Sequence, residues 1–152
     1  CTALKEVILP DNLTKIPNGT FSECEGLESI VIPDMVTSIE KWAFNECTSL
    51  KTIEFGSSLI SIDDLAFDEC TSLTTLKFND GLETIGENAF RWSYSIKSVT
   101  IPESVNYIDP RAFNNAFAES GTVKVYVKKD SWADINFDSY KTLSENVQKV
   151  YY

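Results

Sequence analysis

The sequence predicts a strand-rich α/β solenoid, a stack of one short unit, and three observations predict it. Leu4, Leu27, Leu50, Leu73 and Ile96 recur every 23 residues without a gap. The apolar columns that follow stay in register, the fourth position reading Val7, Ile30, Ile53, Leu76, Val99 and the sixth Leu9, Ile32, Phe55, Phe78, Ile101. A unit of 23 residues is also too small to bury its own apolar stripe. Such units stack, each rung covers the next, and the columns become continuous ladders.

Each element follows from the repeat in chain order. In the opening L-x-x-I-x-I segment the fourth and sixth residues alternate with polar neighbours, the period of a strand with one buried face. Pro10, Pro33 and Pro102 end three of these strands, and Gly56 and Asn79 end the other two, because all disfavour continued ladder pairing. The tenth position (Leu13, Val36, Leu59, Leu82, Val105) and the thirteenth (Ile16, Ile39, Ile62, Ile85, Ile108) then mark a second short extended piece. Thr20-Phe21, Ala43-Phe44, Ala66-Phe67, Ala89-Phe90 and Ala112-Phe113 follow, and the A-F-x-x-C spacing suits one helical or 3₁₀ turn. Strands about 4.8 Å apart would make the five rungs roughly 24 Å tall.

The array is read as a remnant at 1–3 and repeats at 4–26, 27–49, 50–72, 73–95 and 96–118. Cys1 falls 23 residues before Cys24, and Cys1-Thr2-Ala3 matches the Cys-Thr-Ser closing later units, so the register predicts an array that extends before Cys1. A lipoprotein's mature N-terminal cysteine is the rival reading, discounted because the repeat follows at once. After Ala118 the period breaks. Thr122 to Val127 reads as a sixth strand with inward valines, and Ser131-Trp132-Ala133-Asp134 as a capping box opening a short helix. Phe137, Tyr140, Leu143, Val147 and Val150 would supply apolar cover, so 119–152 is expected to be a C-terminal cap over the open core.

The consensus L-x-x-I-x-I-P-x-x-V-T-S-I-x-x-x-A-F-x-x-C-T-S, best seen from Leu27 to Ser49, resembles the BspA-like leucine-rich repeat, and the match covers residues 1 to about 118. The resemblance implies a right-handed solenoid with a parallel sheet on one face and short extended or 3₁₀ segments on the other. It also implies a protein displayed on or secreted from a microbial cell, hence an extracellular or cell-surface location. Characterised members are adhesins for host extracellular proteins such as fibronectin and fibrinogen. The family offers no catalytic residues to carry over.

Composition narrows the function. The 152 residues carry 23 acidic against 13 basic side chains, a net charge of −10, which argues against a nucleic-acid surface. No run of about 18 apolar residues is present, so no transmembrane segment is expected. The chain has no histidine, which removes Ser-His-Asp and Cys-His catalysis and the usual imidazole base. Cys1, Cys24, Cys47 and Cys70 form one column continued by Ser93 and Ala116. That pattern favours small buried thiols over disulfides, whose Cβ vectors must converge, and over zinc, whose ligands pair two to four residues apart.

The acids are periodic too. The eighth position reads Asp11, Asp34, Ser57, Asp80, Glu103 and the twentieth Glu23, Glu46, Glu69, Trp92, Asn115. Like charges about 5 Å apart in water repel by roughly 0.8 kcal/mol, tolerable on loops. Calcium needs six to eight closely spaced oxygens, and even Asp63, Asp64, Asp68 and Glu69 do not form such a loop, so neither metal nor cofactor is expected. A glycosidase would need two acids lining a cleft, and regular repeat loops are expected to offer no pocket that raises one pKa. The expected class is therefore non-enzymatic.

The outward strand positions are the candidate protein-binding residues: Glu6 and Ile8, Ser29 and Val31, Thr52 and Glu54, Thr75 and Lys77, Ser98 and Thr100, with Lys124 continuing the row. Ile8 and Val31 would form an apolar patch. Trp92 and Tyr94, beside Arg91, replace polar residues of other rungs. They are read either as a contact site, where exposed aromatics with arginine concentrate binding energy, or as packing against Tyr107, Phe117 or the cap. Adhesion through a protein ligand, such as a host matrix protein, is the expected function, with a spacer that holds another region away from the cell as the alternative. An uncovered terminal rung would also offer its strand edge to a second copy, giving end-to-end self-association.

Overall fold

Two strand ladders run along the array, one for each extended stretch of the repeat. The computed structural model describes residues 1–119, 123–137 and 147–152. The chain runs β1 (Lys15–Ile16), β2 (Ser29–Val31), β3 (Ser38–Ile39), β4 (Thr52–Glu54), β5 (Ser61–Ile62), β6 (Thr75–Lys77), β7 (Thr84–Ile85), β8 (Ser98–Ile101), β9 (Tyr107–Ile108), β10 (Val123–Val127), α1 (Trp132–Phe137) and β11 (Val147–Tyr151). The odd strands through β9 form one parallel ladder, β1-β3-β5-β7-β9, while the repeat-opening strands form β2-β4 and β6-β8-β10-β11. Pairing steps by one repeat from β1 to β9, as in Ile16 to Ile39 and Ile30 to Ile53, and by slightly more where β10 and β11 add on, as in Val99 to Val125 and Val123 to Val147. The parallel β-solenoid with almost no helix is thus the predicted leucine-rich repeat fold.

The strand stops fall as expected: β2 ends before Pro33, β4 before Gly56, β6 before Asn79 and β8 before Pro102. Gly56 is needed for space rather than for a special φ, because a Cβ there would collide with the Pro33 carbonyl oxygen. The first repeat departs from expectation. Its segment around Glu6 and Ile8 is not a regular strand, and among the described residues one backbone bond, Glu28 N–H to the Lys5 carbonyl (3.1 Å), ties it to the next rung. One bond is too few to hold a ladder.

The A-F stretch is neither α-helix nor 3₁₀-helix but a run of turns whose backbone donors alternate. Ala43, Asn45 and Cys47 donate N–H to carbonyls three residues back (3.1, 3.2 and 3.3 Å). Trp42, Phe44 and Glu46 between them donate to Asp64, Ala66 and Asp68 of the next rung (3.3, 2.8 and 2.8 Å). Left-handed residues at fixed positions impose this alternation: Gly19, Trp42, Leu65 and Asn88 in one column, and Glu23, Glu46, Glu69, Trp92 and Asn115 in another, all with φ between 55° and 64°. A side chain costs roughly 1–2 kcal/mol in that region, least for asparagine and most for a β-branched residue. Leu65→Val should therefore lower stability by about 1 kcal/mol more than Leu65→Asn, as read from urea midpoints; equal midpoints would remove the strain argument.

The core is the inside of the ladder. Phe44, Phe67, Phe90 and Phe113 are fully buried, and the column from Phe21 stacks with centroid spacings of 5.2, 5.0, 5.2 and 5.2 Å, the rise of one rung. The cysteine column is buried from Cys24 to Cys70 as free thiols, with Cys1 exposed. It is also a donor column. Cys47 and Cys70 Sγ donate to the Phe21 and Phe44 carbonyls (3.1 and 3.2 Å), and Ser93 Oγ donates to Phe67 (3.1 Å). Serine therefore fits the slot by repeating the bond, not only by being small. Burial pushes the Cys47 thiol up to about 12 and that of Cys70 well above its ordinary value. A thiol reagent at neutral pH should label Cys1 at once and spare Cys47 and Cys70 until denaturant is added; rapid labelling of Cys70 in the folded protein would contradict this.

Beyond the repeats, β10 supplies the sixth strand over 123–127, and Thr122 lies outside the described residues. Ser131 Oγ accepts the Asp134 N–H (3.2 Å) as an N-cap, but Asp134 Oδ2 accepts from Asp130 N–H (3.1 Å), one residue before the partner of a reciprocal box. Strand β11 was not anticipated. It pairs in parallel with β10, Val123 facing Val147 and Val125 facing Lys149. Val147 packs on the core as expected, whereas Val150 stands opposite Tyr126, on the alternate face, because strand pairing flips every second side chain. Tyr140, Leu143 and the Phe137 side chain lie outside the described residues.

Candidate functional site

Alternation on the repeat-opening strands sends one residue in and the next out. Ile30, Leu76, Val99 and Val125 are buried, while Ser29, Val31, Thr52, Glu54, Thr75, Lys77 and Lys124 are exposed and Ser98 and Thr100 half-buried. Register turns the outward residues into two rows. One runs Ser29–Thr52 and then Thr75–Ser98–Lys124; the other runs Val31–Glu54 and then Lys77–Thr100–Tyr126. Ile8 (91% exposed) and Val31 (58%) are the large apolar residues of this face. Glu6 and Ile8 precede the rows but stand on no regular strand. Tyr126, Gln148 and Val150 join the face through β10 and β11, which sequence reasoning missed. The V-Y-V alternation would have found Tyr126; nothing local marks β11.

Trp92 and Tyr94 lie on the turns between β7 and β8, not on a strand, and are exposed at 42% and 54%. The Arg91 guanidinium covers the Trp92 ring at 4.4 Å. Arg91 also grips Asp68 of the preceding rung with Nε (2.9 Å) and Nη2. Asp68, grouped with the exposed acids on sequence, is only 3% exposed and exists to make this pair. Other acids of the loop columns are also structural. Asp34 Oδ1 accepts the Ser57 N–H (2.9 Å), which holds its carboxyl below the usual range. On the flank of the sheet Glu28 meets Lys51 (2.8 Å), and that hydrogen bond lowers its pKa.

The expectation that no pocket would raise an acid's pKa needs correction. On the odd-strand ladder, Lys41, Ile62, Asp63, Asp64, Thr84, Gly86 and Tyr107 line a groove of about 330 Å³. Burial pushes the Asp63 carboxyl up, and the charges of Asp64 and Glu40 add to this. The groove exists because Gly86 has no side chain where other rungs carry Glu40, Asp63 or Asp109, and a Cβ there would press on Asp64. Acid–base hydrolysis still needs two available carboxyls. Asp64 Oδ1 is engaged by the Glu87 N–H (2.9 Å), and Asp109 by the Arg111 N–H (2.8 Å) and the Tyr107 hydroxyl (3.2 Å). Among the described residues no group of three or more cysteine or acidic side chains is arranged to hold a metal ion, and no helix is long and apolar enough to cross a membrane.

Parallel ladders stepping by 23 residues around a phenylalanine stack define a leucine-rich repeat protein. The BspA type Leucine rich repeat region matches residues 1–119 in six copies, and the chain belongs to that family. Among solved structures it resembles the T. pallidum leucine-rich repeat protein TpLRR (31% identity over 80% of this chain and 57% of that one, TM-score 0.74). It also resembles a leucine-rich repeat protein from Bacteroides ovatus (25% identity, 99% of this chain and 37% of that one, TM-score 0.78). The pneumococcal vaccine antigen PcpA shares the fold at 19% identity, over 94% of this chain and 40% of that one, with a TM-score of 0.70. The chain thus spans little more than half of TpLRR and well under half of the other two. No curated protein matches it in sequence. Family and fold are those of non-enzymatic repeat scaffolds, used as protein-interaction or structural modules.

Proposed function

We propose that this segment is a non-enzymatic protein-binding module of a surface or secreted microbial protein, acting in adhesion to host or extracellular matrix proteins. One observation carries the reading: an outward row, Val31, Glu54, Lys77, Thr100 and Tyr126, changes chemistry from rung to rung on a core whose chemistry does not. A spacer needs only the core. The shared fold of a vaccine antigen is in keeping with surface exposure. In this reading 119–152 closes the array. Lys149 occupies the inward position of β11, opposite Val125, and its ammonium is held by the Asp134 side chain and carbonyl of α1, so the apolar column ends in a paired charge.

The test is capture of matrix proteins from an array, with Val31→Asp and Trp92→Ala as the probing substitutions. Val31→Asp is expected to weaken capture about tenfold with the melting temperature unchanged, because it places a charge on the apolar end of the sheet face. Capture that survives both substitutions undiminished would leave the spacer as the function.

A further inference from the structure

Acidic residues outnumber basic ones 23 to 13, yet they are not spread evenly over the sheet face. The outward positions of β6, β8, β10 and β11 carry no carboxylate. They present hydroxyls, the Gln148 amide and Val150, with Lys77 and Lys124 exposed and, among the described residues, in no ion pair. The acids of this face are Glu6, beside Ile8 in the first repeat, and Glu54, paired with Val31 from the third. The chemical change coincides with the break in hydrogen bonding between the β2-β4 pair and the four-stranded sheet.

We propose that the sheet face docks an extended acidic segment of a partner protein, lying along the array axis across the strands. This rests on the protein-binding reading above and names its partner chemistry. The apolar end seats an apolar residue on Val31, and the basic end seats carboxylates on Lys77 and Lys124. Val31 and Lys77 share a row two rungs apart, about 10 Å, which three residues of extended chain span at roughly 3.3 Å each. The exposed Glu54 carboxylate stands between them, so the residues that cross its rung are uncharged and the acids of the segment begin at Lys77. Lys77 and Lys124 lie two rungs and two strand positions apart, about 12 Å, or three to four residues further. The hydroxyls of Thr75 and Thr100 flank the path and offer donors to backbone carbonyls. Such a segment avoids the acidic column that follows the strands, Asp34, Asp80 and Glu103, where like charge would exclude it, while the column that precedes them carries Lys51 and Lys97.

The experiment uses a fluorescein-labelled synthetic peptide, Leu-Thr-Thr-Asp-Thr-Thr-Thr-Asp, and a twin with lysine at both aspartates, followed by anisotropy with the full chain. The acidic peptide is expected to bind at least tenfold more tightly than its twin, and Lys77→Glu/Lys124→Glu is expected to reverse that preference with an unchanged thermal melt. Equal binding of the two peptides, or an acidic-peptide affinity changed less than twofold by the double reversal, overturns the proposal. So does a short heparin oligosaccharide that binds through the two lysines where the acidic peptide does not. If the double reversal spares capture of a matrix protein that Val31→Asp abolishes, the acidic-segment inference fails while the protein-binding reading stands. If neither variant alters capture, that reading fails as well.

Discussion

Phe67→Ala is expected to cost about 4 kcal/mol of unfolding free energy. Phe67 is fully buried, lies 5.0 Å from the Phe44 ring and 5.2 Å from Phe90, and takes Phe55 edge-on at 6.2 Å. Truncation removes the ring's transfer energy and leaves a cavity that stacked turns on both sides cannot close without shortening the ladder. In a solenoid stability is a sum of rungs and nearest-neighbour interfaces, and this change damages two interfaces at once. Phe21, which is 9% exposed and stacks on Phe44 alone among the described rings, should cost about half as much when truncated. Urea titration of both variants decides the point; equal losses would show that stacking on two sides adds nothing.

Arg91→Ala should cost about 3 kcal/mol, because it strands the carboxylate of Asp68, which is only 3% exposed, away from both water and its partner. Arg91→Lys is expected to recover little, since an ammonium cannot reproduce the two-point grip of Nε and Nη2. Asp68→Asn combined with Arg91→Gln should recover most of the loss, as neutral partners leave no buried charge behind. The double-mutant cycle is the measurement. A coupling below about 0.5 kcal/mol, the range of exposed pairs, would mean that the site is wetter than its burial indicates.

Much of this architecture is legible in a single sequence because stacking makes each structural demand recur. A column of Ile16, Ile39, Ile62, Ile85 and Ile108 predicts five buried positions from one argument, and all five are buried. The outward rows were legible for the same reason, since alternation fixes them relative to the buried ones. Single events were not legible. Strand β11 has no period to announce it, and its Lys149 reads as a surface residue until pairing turns it inward. Asp68 and Arg91 sit one repeat apart in a column otherwise held by Ser22, Asn45 and Asn114, and nothing in that column marks the two as a pair. The groove at Gly86 arises from one missing side chain, visible as an absence only after neighbouring rungs are superposed.

Periodicity in the chain was enough to establish the rung, its buried columns and the family, because burial repeats wherever the unit repeats. It also fixed which side chains face out. Three-dimensional pairing alone revealed the alternation of turn hydrogen bonds, the donor role of the cysteine slot and the inward lysine at the last strand. Each depends on which atoms a neighbouring rung brings within about 3 Å, and sequence spacing does not carry that distance. The same holds for the sheet face. Its lysines were visible one by one, but their grouping on an acid-free sheet exists only once β6, β8, β10 and β11 lie side by side.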